Sequence, residues 1–233
     1  MDIFSDLKVI QQLQILQNQY LPSLWQTLYS LGLQTLFAYL LGLPLGVLLV
    51  IGRRDGIRPL PGLLMRFLDL AVNLLRSVPF LILMIIALPL SKLIVGTKIG
   101  TAATIPPMVI AAFPLIARMV ESSFREVDRG VIEAAESMGA STWQIVTKVM
   151  LPEARPSLIA GAAITMTTIL GYGAMAGIIG GGGLGKLAID YGYYNFKTIV
   201  MWAAVIGLIL LVQIIQSAGT KLSTASDKRL RNQ

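Results

Sequence analysis

The sequence predicts an all-α polytopic membrane protein with about five transmembrane helices. Of its 233 residues 55% are hydrophobic and only 13% are charged, and the mean hydropathy is +0.73. Soluble proteins carry about 25% charged residues. The apolar residues form runs that reach the roughly 20 residues a helix needs to cross the hydrocarbon core. Basic residues lie at the ends of these runs, so the net charge of +7 fits membrane topology and not nucleic-acid binding.

Cysteine and histidine are both absent from the chain. Their absence excludes disulfides, a cysteine nucleophile, a histidine base and the usual zinc sites. No carboxylates cluster on one helix face, which leaves an integral membrane enzyme little with which to run chemistry. We therefore expect a chain that is not an enzyme and binds no metal or cofactor of its own.

The first segment, residues 1–22, is predicted to be a weakly amphipathic helix at the membrane surface. Ile3, Leu7 and Ile10 recur at helical spacing among glutamines. The start, MDIFSDLK, lacks the basic region of a cleaved signal. A disordered leader is the alternative interpretation.

The first two spans follow this segment. No charged residue lies between Lys8 and Arg53, and Trp25–Ile51 is the strongest span. The second span, Phe67–Val95, carries polar residues at i, i+3, i+7 and i+10 along its first half, namely Arg66, Asp69, Asn73 and Arg76. This stripe indicates either a functional pathway or a helix end in the cytoplasm, where Arg66 and Asp69 can pair.

Three more spans complete the transmembrane domain, which covers residues 23–220. They are Gly100–Val120, which contains three prolines, Ser157–Ile179 and Ile199–Gly219. Five spans place the two termini on opposite sides of the membrane. Residues 221–233 are then a short tail.

Orientation follows from the basic residues, which concentrate on the cytoplasmic side. With the N-terminus outside, 14 of the 19 Lys and Arg residues lie inside and five lie outside. The C-terminal tail and the loop of residues 121–155 are therefore predicted to be cytoplasmic.

This cytoplasmic loop is predicted to form two short helices with a break between them. Val131–Met138 holds good helix formers, Gly139 stands at the position of a left-handed C-terminal cap, and Ser141 can cap the next helix, which Pro152 closes. We expect three apolar side chains of the loop to be exposed: Met138, Trp143 and Ile145. They indicate a surface that docks into a groove of a partner, or else a loop that packs back onto its own bundle.

The loop resembles the EAA loop of ABC importer permeases, in which EAA is followed by three residues, Gly, nine residues and I-x-L-P. Here the matching residues are Glu133, Ala134, Ala135, Gly139, Leu151 and Pro152, and Val149 stands in place of Ile. In that family the loop forms a coupling helix that fits a groove on the ATPase subunit. The resemblance therefore implies a coupling surface made of Glu133, Ala134, Ala135, Met138, Gly139, Ala140, Trp143, Leu151 and Pro152.

The resemblance extends over about residues 24–219 and is greatest to methionine-importer permeases. LRSVPFLILMIIALPLSKLIVGTKIG, PLIARMVES and GYGAMAGIIGGGGLG carry it. It implies a subunit of a bacterial inner-membrane importer for methionine or a related amino acid. It also implies a homodimer of permeases, two cytoplasmic ATPase subunits that bind ATP and Mg, a substrate-binding protein outside, and surrounding lipid.

The stretch GGGGLGK, residues 180–186, formally matches nucleotide-binding patterns but is interpreted as a tight chain re-entry. A phosphate-binding loop needs Ser or Thr after the lysine, where Leu187 stands, and a preceding strand, where a membrane helix is predicted.

The fourth span offers residues for a substrate pathway. They are Thr165, Met166, Thr168, Tyr172 and Met175, and the spacing of Thr165, Thr168 and Tyr172 places three hydroxyls on one helix face. Ordinary packing through small and polar residues is the alternative. For the whole chain, the rival functions are a secondary transporter or channel for a small solute, which would need coupling acids or an inverted repeat, and an interaction scaffold.

Overall fold

The structure is a computed structural model that describes residues 3–227. Within that part of the chain every regular element is helical. Four helices are long and apolar enough to cross a membrane, or five spans result if one bent pair counts as a single span. The predicted all-α fold with about five spans is confirmed.

The first helix, α1 (Ile3–Ile51), is continuous over 49 residues. At 1.5 Å per residue it is about 74 Å long, more than twice the roughly 30 Å hydrocarbon core. The segment predicted as a separate interfacial helix is helical, but no break separates it from the first span. The predicted boundary at residue 22 therefore lies inside α1.

The predicted second span is broken into two helices, α2 (Gly62–Ser77) and α3 (Phe80–Val95). Their axes are bent by 108° at the break, so the prediction of one continuous helix over Phe67–Val95 is wrong. The physical reason is Pro79, which disfavours the helical conformation of the residue before it. Val78 accordingly has extended backbone angles, φ −76° and ψ 128°.

The remaining helices agree with the predicted spans, and each of them extends further than predicted at its cytoplasm-predicted end. A 3₁₀ turn (Ala102–Thr104) leads into α4 (Ile105–Arg125), and α8 (Arg155–Ala176) ends in the 3₁₀ turn Gly177–Ile179. The last helix, α10 (Thr198–Ser226), continues into the predicted tail. The rest of the tail, residues 228–233, lies outside the described residues.

Four short helices and two π-helical turns lie between the spans. Following α4 come α5 (Arg129–Ser137), α6 (Thr142–Gln144), a π-helical turn (Ile145–Met150) and α7 (Leu151–Glu153). Preceding α10 are α9 (Gly183–Leu187) and a second π-helical turn (Ala188–Tyr194).

The chain divides into two compact units. One comprises the chain up to Leu36 together with Pro79–Ile110 and Met166–Ile214. Its core consists of residues from α9 and α10 packed against the early part of α1, namely Leu184, Leu187, Val200, Ala204, Ile15, Leu16, Tyr20 and Leu24. The side-chain oxygen of Gln12 accepts a hydrogen bond from the backbone N–H of Ile199 at 2.9 Å, which satisfies a free amide at the start of α10.

The other unit comprises Phe37–Val78, Ala111–Thr165 and the chain from Ile215 onward. Here α1 and α4 pack closely through the small residues Gly42 and Gly46. A Cβ at Gly42 would lie 2.7 Å from the carbonyl oxygen of Phe113, and a Cβ at Gly46 would lie 2.6 Å from that of Ala117. This spacing of small residues is typical of membrane helices whose backbones approach closely. The unit contains the loop of residues 121–155 and the candidate functional site.

Candidate functional site

The first helix of the loop is capped at both ends by local hydrogen bonds. At its start the Asp128 carboxylate accepts from the backbone N–H of Gly130 at 2.6 Å. At its end the N–H of Ala140 bonds to the carbonyl of Ala135 at 3.1 Å, and the N–H of Gly139 bonds to that of Glu136 at 2.9 Å. These two bonds form the Schellman arrangement, which terminates a helix with a left-handed residue.

Gly139 occupies that left-handed position, as the sequence predicts, with φ +76°. A Cβ at this position would meet nothing within 4 Å. Glycine is therefore required here by backbone conformation and not by space.

The second helix begins at a capping box. The Ser141 hydroxyl accepts from the N–H of Gln144 at 3.4 Å, and the side-chain oxygen of Gln144 accepts from the N–H of Ser141 at 2.8 Å. The π-helical turn and α7 then continue to Glu153, one residue past Pro152. Since proline lacks an N–H and its ring clashes with the carbonyl four residues earlier, the wider turn before Pro152 accommodates it.

Two large apolar side chains project from the loop into open space. Met138 is 82% exposed and Trp143 is 74% exposed, while Leu151 is 40% exposed. Ile145 is only 1% exposed, so its predicted exposure is wrong. Residues two positions apart on a helix point in directions about 200° apart around its axis, and Ile145 therefore faces away from Trp143.

The other predicted coupling residues divide into an exposed and an inward-facing group. Glu133, Ala134, Gly139 and Pro152 are exposed. Ala135 is buried and Ala140 is half-buried. Two helices joined at a fixed angle thus present Met138 and Trp143 outward, a geometry that suits insertion into a groove.

A charge cluster, which the sequence reasoning did not identify, centres on the buried Glu121 of α4. Its side chain is only 6% exposed, and its two oxygens bond Arg53 at 2.6 Å, Arg118 at 2.6 Å and Arg125 at 2.9 Å. We call Glu121, its three arginines and Asp69 the Glu121 cluster. The one signal in the sequence is the placement of Arg118 and Arg125 at i−3 and i+4 from this glutamate.

Asp69 belongs to this cluster and not to a pair with Arg66. Its carboxylate lies 2.8 Å from Arg118 and 3.9 Å from Arg53. Arg66 is exposed and forms no ion pair with any of the described residues. The predicted pairing of Arg66 with Asp69 is therefore wrong, because packing of α2 against α4 brings Arg118 to the carboxylate. Arg118 also donates to the Asn73 side chain at 3.1 Å.

A cavity of about 290 Å³ separates the Glu121 cluster from the loop. Arg53 and Arg125 line it on the cluster side, and Glu133 and Glu136 of α5 line it on the loop side. Arg129, at the start of α5, donates to the backbone carbonyl of Asp55 at 2.8 Å across the same region. Three arginines and three acidic residues line the cavity, so the charges of its lining balance.

The predicted pathway residues have several different environments. Thr165 is buried, and its hydroxyl is 3.0 Å from the Tyr39 hydroxyl and donates to the backbone of its own helix. Tyr172 stacks on Phe80 with ring centroids 4.2 Å apart.

Of the other pathway residues, Met175 is 41% exposed, and Met166 and Thr168 are half-buried. The burial and the hydrogen bonds of Thr165 favour helix packing, the alternative interpretation, and its place in the pathway stays a prediction.

The glycine-rich stretch of residues 180–186, here called the glycine loop, is held by side chains of α1. The side-chain oxygen of Gln26 accepts from the N–H of Gly183, and the Thr27 hydroxyl accepts from the N–H of Leu184, both at 2.9 Å. Gly180 and Gly183 have positive φ values of +84° and +85°. These amides are already bonded within the protein, and the loop follows a helix instead of a strand, which favours the tight re-entry.

Comparison with known proteins agrees with these features. The family described as binding-protein-dependent transport system inner membrane component matches residues 42–230. The probable D-methionine transport system permease protein MetI of Vibrio cholerae is 48% identical over 210 residues, with 90% of this chain and 92% of that protein covered. The methionine import system permease protein MetP of Bacillus subtilis is 47% identical over 158 residues, with 68% and 71% covered.

Among solved structures, the chain is similar to one from the MetNI methionine ABC transporter in inward-facing conformations. The two chains share 42% identity and a TM-score of 0.87, with 89% of this chain and 96% of that chain covered. The family match covers most of the sequence, and the Vibrio cholerae relative is matched over 92% of its length. The chain therefore belongs to the family of binding-protein-dependent transport system inner membrane components.

Proposed function

We propose that the chain is the permease subunit of an ABC importer that moves methionine or a related amino acid into the cytoplasm. The observation that carries this proposal is the loop of two capped helices, which bears the EAA pattern and presents Met138 and Trp143 outward. The relatives named above support methionine as the cargo. The chain is a multi-pass protein of the bacterial inner membrane.

The loop requires a cytoplasmic partner with a groove. The ATPase subunits supply that groove, with the N-terminus of the permease outside and the loop and C-terminus inside, as the distribution of basic residues indicates. ATP and Mg bind to those subunits and not to this chain. An importer with two ATP sites needs two coupling loops, and a homodimer of this chain provides them with two-fold symmetry.

Transport proceeds by alternating access. ATP-driven closure of the two ATPase subunits moves the coupling loops toward each other, and the spans change from inward-open to outward-open. A substrate-binding protein delivers the cargo from outside. Met166, Thr168, Tyr172 and Met175 remain our proposal for the pathway, because polarisable thioethers suit an apolar amino-acid side chain.

The test is uptake of labelled methionine into proteoliposomes that hold the permease with its ATPase subunits, with the binding protein added outside. We expect uptake that requires ATP and is competed by unlabelled methionine. A non-hydrolysable ATP analogue is the matched control and gives only background uptake.

Two results would contradict the proposal in different ways. ATP hydrolysis that the binding protein stimulates, without methionine uptake, would retain the importer and exclude this cargo. Methionine uptake that proceeds equally without ATP hydrolysis would indicate a secondary transporter or channel.

A further inference from the structure

We propose that Glu121 is a positioning residue that transmits movement of the coupling loop to α1 and α2. This inference rests on the proposed function, because it assigns a role within ATP-driven transport. The structure supports it through charged contacts that join α4, whose end leads into the loop, to the end of α1 and to α2.

The loop is joined to α4 by a short and well-packed connection. α4 ends at Arg125 and α5 begins at Arg129, so only three residues separate the two helices. Val127 in this connection is 6% exposed, and Phe124 just before it is 2% exposed. A displacement of α5 therefore reaches the end of α4, where Glu121 lies one turn before Arg125.

Two contacts then connect this region with the end of α1. Glu121 bonds Arg53, which lies two residues beyond the last residue of α1, at 2.6 Å. Arg129 donates to the backbone carbonyl of Asp55 at 2.8 Å. The first contact starts from α4 and the second from α5, so the chain that follows α1 is held to both helices.

The connection to α2 passes through Arg118. This arginine donates to Glu121 with one nitrogen at 2.6 Å, and its other nitrogen forms an ion pair with the Asp69 carboxylate at 2.8 Å. The same guanidinium donates to Asn73, one turn further along α2. Glu121 therefore links α4 directly to α1 and, through Arg118, to α2.

Stability alone is a poor explanation for this cluster. Glu121 is buried, whereas its partners Arg53 and Arg125 are a third to a half exposed. Exposed ion pairs add little net stability, and buried charges are costly to desolvate. Their particular property is fixed geometry, since charged hydrogen bonds are strong in a low dielectric and depend steeply on distance and angle. Such contacts keep helices in register during rigid-body movements.

The test compares Arg53→Gln with Arg54→Gln in the full transporter, reconstituted with its ATPase subunits and the binding protein. Both substitutions remove one positive charge at adjacent positions. Arg53 bonds Glu121, whereas Arg54 is exposed and has no ion pair with the described residues. The measured quantity is methionine taken up per ATP hydrolysed, with the binding protein present.

We expect the uptake per ATP of Arg53→Gln to fall at least about fivefold, the lower end of typical coupling between sites, while ATP hydrolysis continues. Arg54→Gln is expected to retain the parental ratio. Arg53→Lys keeps the charge with a single donor group and should give an intermediate ratio. Where Arg53→Gln does not assemble, the ratio of Arg53→Lys decides the question.

The inference is overturned if Arg53→Gln keeps the parental ratio, or if uptake and hydrolysis fall in equal proportion, as a purely structural role predicts. If the parent complex itself shows no ATP-dependent uptake, the proposed function fails instead. The parent measurement therefore separates the two failures.

Discussion

Replacing Gly139 with valine tests whether the shape of the loop break determines ATPase docking. The native residue has φ +76°, and a Cβ there would contact nothing within 4 Å. The substitution therefore introduces no clash, and its whole cost is conformational. A left-handed backbone costs an L-residue about 1–2 kcal/mol, and a β-branched side chain is among the least tolerant.

A cost of this size lowers the population of molecules with the native break, relative to other conformations, by a factor of roughly 5 to 30. If only the native break fits the ATPase groove, the apparent dissociation constant rises by up to about the same factor. The measurement is titration of the ATPase subunit onto the permease in lipid nanodiscs. Circular dichroism of the same samples checks that the membrane helices are intact.

Gly139→Asn is the matched control, because asparagine is the residue that most often replaces glycine at left-handed helix ends. We expect it to bind the ATPase subunit nearly as well as the parent. The reasoning is refuted if the valine variant binds normally, or if the asparagine variant loses as much affinity as the valine variant.

Three further predictions concern two residues of the loop and one residue of the glycine-rich stretch. Trp143→Ala should abolish capture of the ATPase subunit yet change stability by less than about 0.5 kcal/mol, because the side chain is 74% exposed; a clear drop in melting temperature would contradict this. Ile145→Ala should instead destabilise the protein by about 2–5 kcal/mol, since Ile145 is 1% exposed, and an unchanged melting temperature in detergent would show that the site is not packed. Gly182→Ala should lower the melting temperature without weakening ATPase capture, because its Cβ would lie 2.7 Å from the side-chain oxygen of Gln26; normal stability would contradict the close approach.

The loop was predictable because its determinants are local. The left-handed Gly139 and the cap at Ser141 depend on residues at most five positions away, all visible in the sequence. The predicted exposure of Ile145 is wrong because apolar character alone does not show which face of the helix a residue occupies relative to Trp143. The exposure of a residue depends on the face it occupies, and two positions along a helix reverse the face.

The break in the second span shows a different limit. Hydropathy over Phe67–Val95 is high on both sides of Pro79, so an apolar run of sufficient length conceals a bend. The local signal was present, since the residue before a proline avoids the helical region. Length and hydropathy therefore identify how much chain is membrane-compatible, and proline positions are needed to determine its path.

The complete Glu121 cluster could not be predicted from local spacing, because two of its members, Arg53 and Asp69, are distant from Glu121 in the sequence. Arg53 is 68 residues from Glu121, and Arg118 is 49 residues from Asp69. Local spacing favours Arg66 as the partner of Asp69. In the structure, α1 and α4 approach each other closely at Gly42 and Gly46. With this packing, arginines from other segments reach the carboxylates of Asp69 and Glu121. The sequence thus predicts the proposed docking surface, because that surface is built from one continuous segment. The contacts of the Glu121 cluster join three helices, and only the packed structure identifies them.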